Sequence, residues 1–310
     1  MSIAFVFPGQ GAQTIGMGRA LAEVYPAAQA IFDEVDEALG EKLSALIWEG
    51  DLETLTLTEN AQPALMATSM AALRALEAEG LVADDLAFVA GHSLGEYSAL
   101  AAAGTFSVAD AARLLRTRGL AMQQAVPVGQ GAMAAILGLD FDTATDVAGR
   151  AAEDQVCQVA NANDPAQNVV SGDKAAVERA CALAKDAGAK RALMLPVSAP
   201  FHCTLMAPAA EKMAEALQDV EMRAPRVPVV ANVRAEAVSD PETIKTLLIE
   251  QVTGQVRWHA SVAWMAEQGV TEFWEVGAGK ALSGMIRRIA KDATTRNIGA
   301  PEDLNAIREA

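Results

Sequence analysis

Val89-Ala90-Gly91-His92-Ser93-Leu94-Gly95-Glu96-Tyr97-Ser98 carries, at Gly91 to Gly95, the pattern G-x-S-x-G. This pattern turns a chain sharply from a strand into a helix and exposes the serine at the corner. Leu86 to Ala90 is a short apolar run suited to a buried strand, and Glu96 to Ala103 is rich in small helix formers. The context therefore matches the motif. Glycine at both flanks permits the tight turn and lets the helix approach the sheet closely. Ser93 is the candidate nucleophile.

Outward from this corner, the chain opens with a strand at Ile3 to Phe7, a loop Pro8-Gly9-Gln10-Gly11-Ala12-Gln13, and a helix from about Met17 to Tyr25. Pro63 to Glu79 places Leu65, Met66, Met70, Leu73 and Leu76 at helical spacing, directly before the elbow strand. Alternating helix and strand predict an α/β layer with a largely parallel sheet. From Gly131 the rhythm changes. Strands at Ala132 to Leu137, Val156 to Ala160, Asn168 to Ser171 and Arg191 to Val197, with helices at Thr143 to Ala152 and Ala175 to Ala187, give the order βαββαβ of a ferredoxin-like unit. Val126-Pro127-Val128-Gly129 and Pro196-Val197-Ser198-Ala199-Pro200 bracket it, so residues 128–198 are read as an insertion in a large subdomain of residues 1–127 and 199–310. The large subdomain resumes with a helix at Met206 to Leu217 and strands near Val227 to Val230 and Glu272 to Val276.

The chain has 310 residues, of which 52% are hydrophobic, enough to bury a sizeable core. Its formal net charge of −16 repels nucleic acid and anionic membranes, so neither is an expected partner. No apolar run reaches about 18 residues, the length a membrane helix needs. With no basic leader before Ile3, a soluble cytoplasmic protein is expected. Cys157, Cys181 and Cys203 form neither an even set nor a C-x-x-C pair. A disulfide frame and a structural zinc site are both disfavoured. The basic pairs Lys190-Arg191 and Arg287-Arg288, the latter followed by Lys291, stand out against this acidic background.

A serine hydroxyl needs a base to take its proton, and histidine is the usual one. There are three. His92 precedes the serine, so its side chain is expected on the opposite face of the turn, in a structural role; His259 follows Trp258 at a helix start. His202, in Pro200-Phe201-His202-Cys203 where the chain re-enters the large layer, is the candidate base. An oxyanion needs two donors. The Leu94 amide follows the nucleophile, and the Gln10 amide lies in the glycine-flanked loop after the first strand. That loop lacks the third glycine of a dinucleotide fingerprint, and Gly277-Ala278-Gly279-Lys280 has Trp274 where a phosphate loop starts with glycine. No nucleotide site follows. Arg113, Arg116 and Arg118 do not share one helix face between Ala109 and Gln124, so at least one is expected to point inward, where a guanidinium can hold a carboxylate.

Taken together, Phe7-Pro8-Gly9-Gln10-Gly11, Gly91 to Tyr97, Arg118-Gly119, Asn161-Ala162-Asn163, Pro200 to Cys203, Gln251, Val256-Arg257-Trp258 and Glu275-Val276-Gly277 resemble the malonyl-coenzyme A:acyl carrier protein transacylase family over nearly the whole chain. The resemblance implies a hydrolase-like large subdomain with the ferredoxin-like insertion. It implies a ping-pong transfer in which Ser93 takes malonyl as an ester, His202 acts as base and then acid, and the Gln10 and Leu94 amides hold the oxyanion. Arg118 would grip the malonyl carboxylate, with Gln251, Phe201 and Asn161 around the substrate. The Gln251 carbonyl would orient the histidine in place of a carboxylate, and the bulk of Phe201 would exclude branched acyl groups. Malonyl-coenzyme A and acyl carrier protein are the implied partners of a monomer, with no metal or cofactor. Since such carriers are acidic, Arg287 and Arg288 are the expected docking residues, and Lys190 with Arg191 the second choice. A serine thioesterase and a non-catalytic carrier-binding module are the alternatives.

Overall fold

A computed structural model describes residues 2–82, 85–197 and 199–309. Among the described residues, ten strands form two sheets: β1 (Ser2–Phe7), β2 (Leu86–Gly91), β3 (Gly131–Leu137), β4 (Cys157–Asp164), β5 (Gln167–Asp173), β6 (Arg191–Met194), β7 (Val229–Val230), β8 (Ala237–Val238), β9 (Val270–Val276) and β10 (Thr294–Ile298). The larger sheet runs β10-β9-β1-β2-β7-β8 and is parallel up to its last pair, β7 with β8, which is antiparallel. Parallel strands need helices on both faces. Accordingly Ala4 to Phe7 of β1 are all buried, with Phe5 and Phe7 in one apolar cluster and Ala4 and Val6 in another.

The smaller sheet, ordered β4-β5-β3-β6, is antiparallel throughout and packs on the helices Phe141–Ala152 and Lys174–Asp186. With the helices between β3 and β4 and between β5 and β6, this is the ferredoxin-like arrangement. The strand expected to run from Arg191 to Val197 stops at Met194, and the expected boundary residue Ser198 lies outside the described residues. The two sheets are stitched near the reacting centre. Ala162 N donates to Val256 O at 3.0 Å and Val256 N to Ala160 O at 2.8 Å, joining β4 to the segment before the helix Trp258–Glu267.

Periodicity does not reveal several helices that matter, among them Pro26–Leu39, Leu52–Thr56 and Pro241–Thr253. The last begins with Asp240, whose side chain accepts from Thr243 N, followed by Pro241 at the first helical position. That cap signal is readable in the sequence.

Close packing explains the elbow glycines. A Cβ on Gly95 would lie 2.2 Å from Phe7 O and 2.9 Å from Pro8 O, and one on Gly91 would lie 1.9 Å from Gly95 O. Backbone carbonyls cannot move aside as side chains do. Gly95→Ala is expected to cost about 3 kcal/mol, the upper range for overpacking. Urea unfolding checks this, and an unchanged midpoint contradicts it.

Candidate active site

Ser93 follows the end of β2, and its φ of 53° lies in the left-handed region. A non-glycine residue pays about 1–2 kcal/mol there. His202 also has a positive φ, of 58°, so the two candidate reacting residues share this strain. Such strain persists only where the surroundings over-determine it. At the elbow they do. His92 N donates to Phe7 O, Gly95 N to His92 O, and the Ser93 amide to Asn232 Oδ1 at 2.8 Å. Asn232 Nδ2 in turn donates to Gly91 O at 2.7 Å, closing a side-chain bridge across the turn.

Ser93 Oγ lies 2.7 Å from His202 Nε2. His202 Nδ1 faces two carbonyls, Gln251 O at 2.9 Å and Gly254 O at 3.2 Å. Since only a donor can satisfy them, the proton sits on Nδ1 and the Nε2 lone pair faces the hydroxyl. Burial, and next the positive charge of Arg118, pull the His202 pKa down to about 3. The imidazole is therefore held neutral.

Arg118 comes from the helix Val108–Gln124, capped by Ser107, whose side chain accepts from Asp110 N. The helix buries Ala111, Leu115, Arg118 and Met122, so the arginine sits within the apolar stripe. Arg113 and Arg116 instead pair with Asp110 and Glu41. Arg118 is 1% exposed. It donates to Gln62 Oε1 at 2.7 Å, Gln251 Oε1 at 2.8 Å and Ser93 Oγ at 3.1 Å, while its centre lies 5.7 Å from the Tyr97 ring centroid. All three bonded acceptors are neutral. Burial lowers its pKa, with Tyr97 and then Glu96 opposing.

These groups meet in a cleft of about 310 Å³ lined by both sheets' loops. Gln10 and Leu94 flank the serine there, and Phe201, 8% exposed, sits beside His202. Asn161 of β4 lines it too, with its buried Oδ1 unpartnered. Gln251 stands behind the pair, fully buried, and its side chain contacts Arg118, Ser93 O and Glu96. His92 borders the cleft, although its Nε2 is engaged by Asn163 Oδ1 at 2.8 Å. Arg287 and Arg288 do not line it. They end the helix Ala281–Ile289, where Arg288 pairs with Asp164 at 2.6 Å and Arg287 donates to Thr295 Oγ1 at 3.2 Å.

Sequence reasoning missed Gln62, Asn232 and Glu96. A polar residue at helical spacing with Leu65 and Ser69 was the only signal for Gln62, and none exists for Asn232, which approaches Ser93 from 139 positions away. Among the described residues no group of three or more His, Cys, Asp or Glu is placed to hold a metal, and no helix is long and apolar enough to cross a membrane.

A histidine whose pKa falls on folding stabilises the fold while neutral. That contribution is whole above the unfolded value of 6.5 and is lost as pH falls toward about 3. Between pH 6.5 and 4, the wild-type unfolding free energy is expected to fall further than that of His202→Gln, as read by urea titration. Parallel declines contradict the assignment.

Residues 4–298 match the family model described as acyl transferase domain. Malonyl CoA-acyl carrier protein transacylase of Bacillus subtilis is 50% identical over 303 residues, covering 97% of this chain and 95% of the relative. A crystal structure of acyl-carrier-protein-S-malonyltransferase from Bartonella henselae is 54% identical, with a TM-score of 0.97 over 100% of this chain and 99% of that one. A malonyl-transacylase solved in complex with its type II PKS acyl-carrier protein is 42% identical, with a TM-score of 0.96 over 100% and 99% of the two chains. With an elbow serine, a neutral histidine and a buried arginine in one cleft and this similarity along its length, the chain belongs to the malonyl-CoA:acyl carrier protein transacylase family of acyl transferases.

Proposed function

We propose that this chain moves a malonyl group from malonyl-coenzyme A to the phosphopantetheine thiol of acyl carrier protein, through an ester on Ser93. The contact of Arg118 with Ser93 Oγ, at 3.1 Å in the cleft, carries the reading. All the acceptors bonded to this buried cation are neutral, with Glu96 opposing its charge without a hydrogen bond, so a malonyl carboxylate supplies the anion at bonding distance in bidentate form. As Ser93 Oγ bonds to the thioester carbon, its proton passes to His202 Nε2. The Gln10 and Leu94 amides hold the oxyanion. The C–S bond then breaks, and His202 returns the proton to the departing thiolate. The carrier thiol reverses the sequence: it gives its proton to His202, bonds to the ester carbon and releases Ser93. No step calls for a metal or redox cofactor.

The substrate also helps its own base. Arg118 is the second cause of the low His202 pKa, so a carboxylate seated on the guanidinium cancels part of that effect. Phe201, beside His202, narrows the space open to a substituent on the malonyl methylene, and Asn161 Oδ1 is free to accept a hydrogen bond. Every residue invoked comes from one chain, so a monomer suffices. Its three free cysteines suit a reducing cytoplasm.

Losing the partner of a buried charge costs about 3–5 kcal/mol, roughly two to three and a half powers of ten. Intact mass after exposure to malonyl-, acetyl- and methylmalonyl-coenzyme A is expected to show one malonyl adduct on the wild type and little else. Arg118→Ala should lose this preference. Acetyl and malonyl adducts forming equally on the wild type, or steady release of malonate without a stable adduct, refute the transfer.

For carrier docking we propose Arg287 and Arg288, supported by their exposure and by the acidity of the rest of the surface. Arg288 is partly committed to Asp164, which leaves Arg287 as the freer charge. The double variant Arg287→Glu, Arg288→Glu is expected to raise the carrier KM about tenfold, chiefly through slower encounter. An unchanged carrier KM rejects this surface.

A further inference from the structure

Glu96 is 2% exposed, and the transfer described above does not use it. Its Oε2 accepts two hydrogen bonds, from Gln251 Nε2 at 2.7 Å and from the Asn232 amide at 3.1 Å. Both donors are themselves bonded to the reacting pair. Gln251 offers its carbonyl to His202 Nδ1 at 2.9 Å, its Oε1 to Arg118 at 2.8 Å and its Nε2 to Ser93 O at 3.0 Å. Asn232 accepts the Ser93 amide at 2.8 Å and spans the turn to Gly91 O at 2.7 Å. One carboxylate oxygen thus stands a single residue away from the nucleophile, the base and the guanidinium.

Resting on the transfer through Ser93, we propose that Glu96 is a positioning residue of that reaction, its carboxylate fixing Gln251 against His202 and Asn232 against the Ser93 amide. In a serine-histidine-carboxylate triad the acid touches the imidazole directly. Here a peptide carbonyl takes that place. A carbonyl is aimed by the residue that bears it, so the acid acts one residue further back. Glu96 itself touches neither the cleft nor the reacting atoms.

Both bonds to Oε2 come from N–H donors, so the ionised form serves them best. Burial raises the Glu96 carboxyl to about 7, against the opposing bonds from Gln251 and Asn232 and the charge of Arg118. Arg118 faces it from the helix Val108–Gln124, and Tyr97 lies next to it on its own helix. The helix Pro241–Thr253 and the loop after β7 meet it with the neutral Gln251 and Asn232. Glu96 therefore changes charge near neutral pH, whereas His202 does so at about 3.

The test is single-turnover acylation of Ser93 by malonyl-coenzyme A across pH, in the wild type and in Glu96→Gln, which keeps an acceptor oxygen and the shape but not the charge. The wild-type rate should rise about ten- to hundredfold through a limb centred near 7, the scale of a misplaced catalytic group. Glu96→Gln should stay flat near the low-pH level with little change in KM. Asn232→Ala, which removes only the bridge over the turn, should be slowed while keeping the limb, and it serves if the first variant does not fold. A Glu96→Gln profile with the wild-type limb, or an Asn232→Ala chain as fast as wild type, overturns the role of Glu96. A wild type that forms no ester on Ser93 overturns the transfer itself, and with it this proposal.

Discussion

Arg118 carries its charge where water hardly reaches, and much of the site is arranged around that fact. An unpaired buried cation costs several kcal/mol even after the surroundings relax. The chain offsets this with the amide oxygens of Gln62 and Gln251, with the Tyr97 ring and with the nearby Glu96 carboxyl. The compensation is neutral at every bonded contact, so the fold tolerates the cation while leaving it able to take an anion. The same charge adds to burial in holding the base neutral. One electrostatic choice therefore bears both on what the cleft accepts and on when its histidine becomes basic.

Position is enforced by a second layer that substrate never meets. Ser93 and His202 both occupy left-handed backbone conformations, and each is held by a neighbour's carbonyl or amide. Gln251 is the hub, since it bonds the serine, the histidine and the arginine at once. It sits on a helix that begins at a well-formed Asp240-Pro241 cap and packs against the short turn Thr204–Met206 and the helix Ala207–Gln218, which follow His202 in the chain. Rigid elements thus deliver the parts, and loops only join them.

The elbow was legible because its signal is local: two glycines, a serine and the apolar strand before them lie within ten residues. The βαββαβ insertion was legible for a similar reason, since strand and helix periods alternate there over short distances. The spread of Arg113, Arg116 and Arg118 around their helix told only that at least one points inward; the family resemblance singled out Arg118, which the structure places in the apolar stripe. Asn232, Glu96 and Gln62 gave no such sign. Glu96 reads as ordinary acid in the first turn of a helix, favoured there by the helix dipole, and only the approach of residues 232 and 251 turns it into a buried brace. The two-residue strands β7 and β8 are too short to show any alternation. What local pattern cannot encode is which distant polar groups a buried side chain will meet.

The most direct measurement compares the rate of Ser93 acylation by malonyl-coenzyme A with that by its neutral amide isostere, which has the same size and thioester but no carboxylate. If Arg118 reads charge, the isostere should react roughly two to three and a half powers of ten more slowly in the wild type, and the gap should close in Arg118→Ala. Equal rates for the two thioesters in the wild type would contradict the account, because the buried cation would then have no part in choosing what the serine receives.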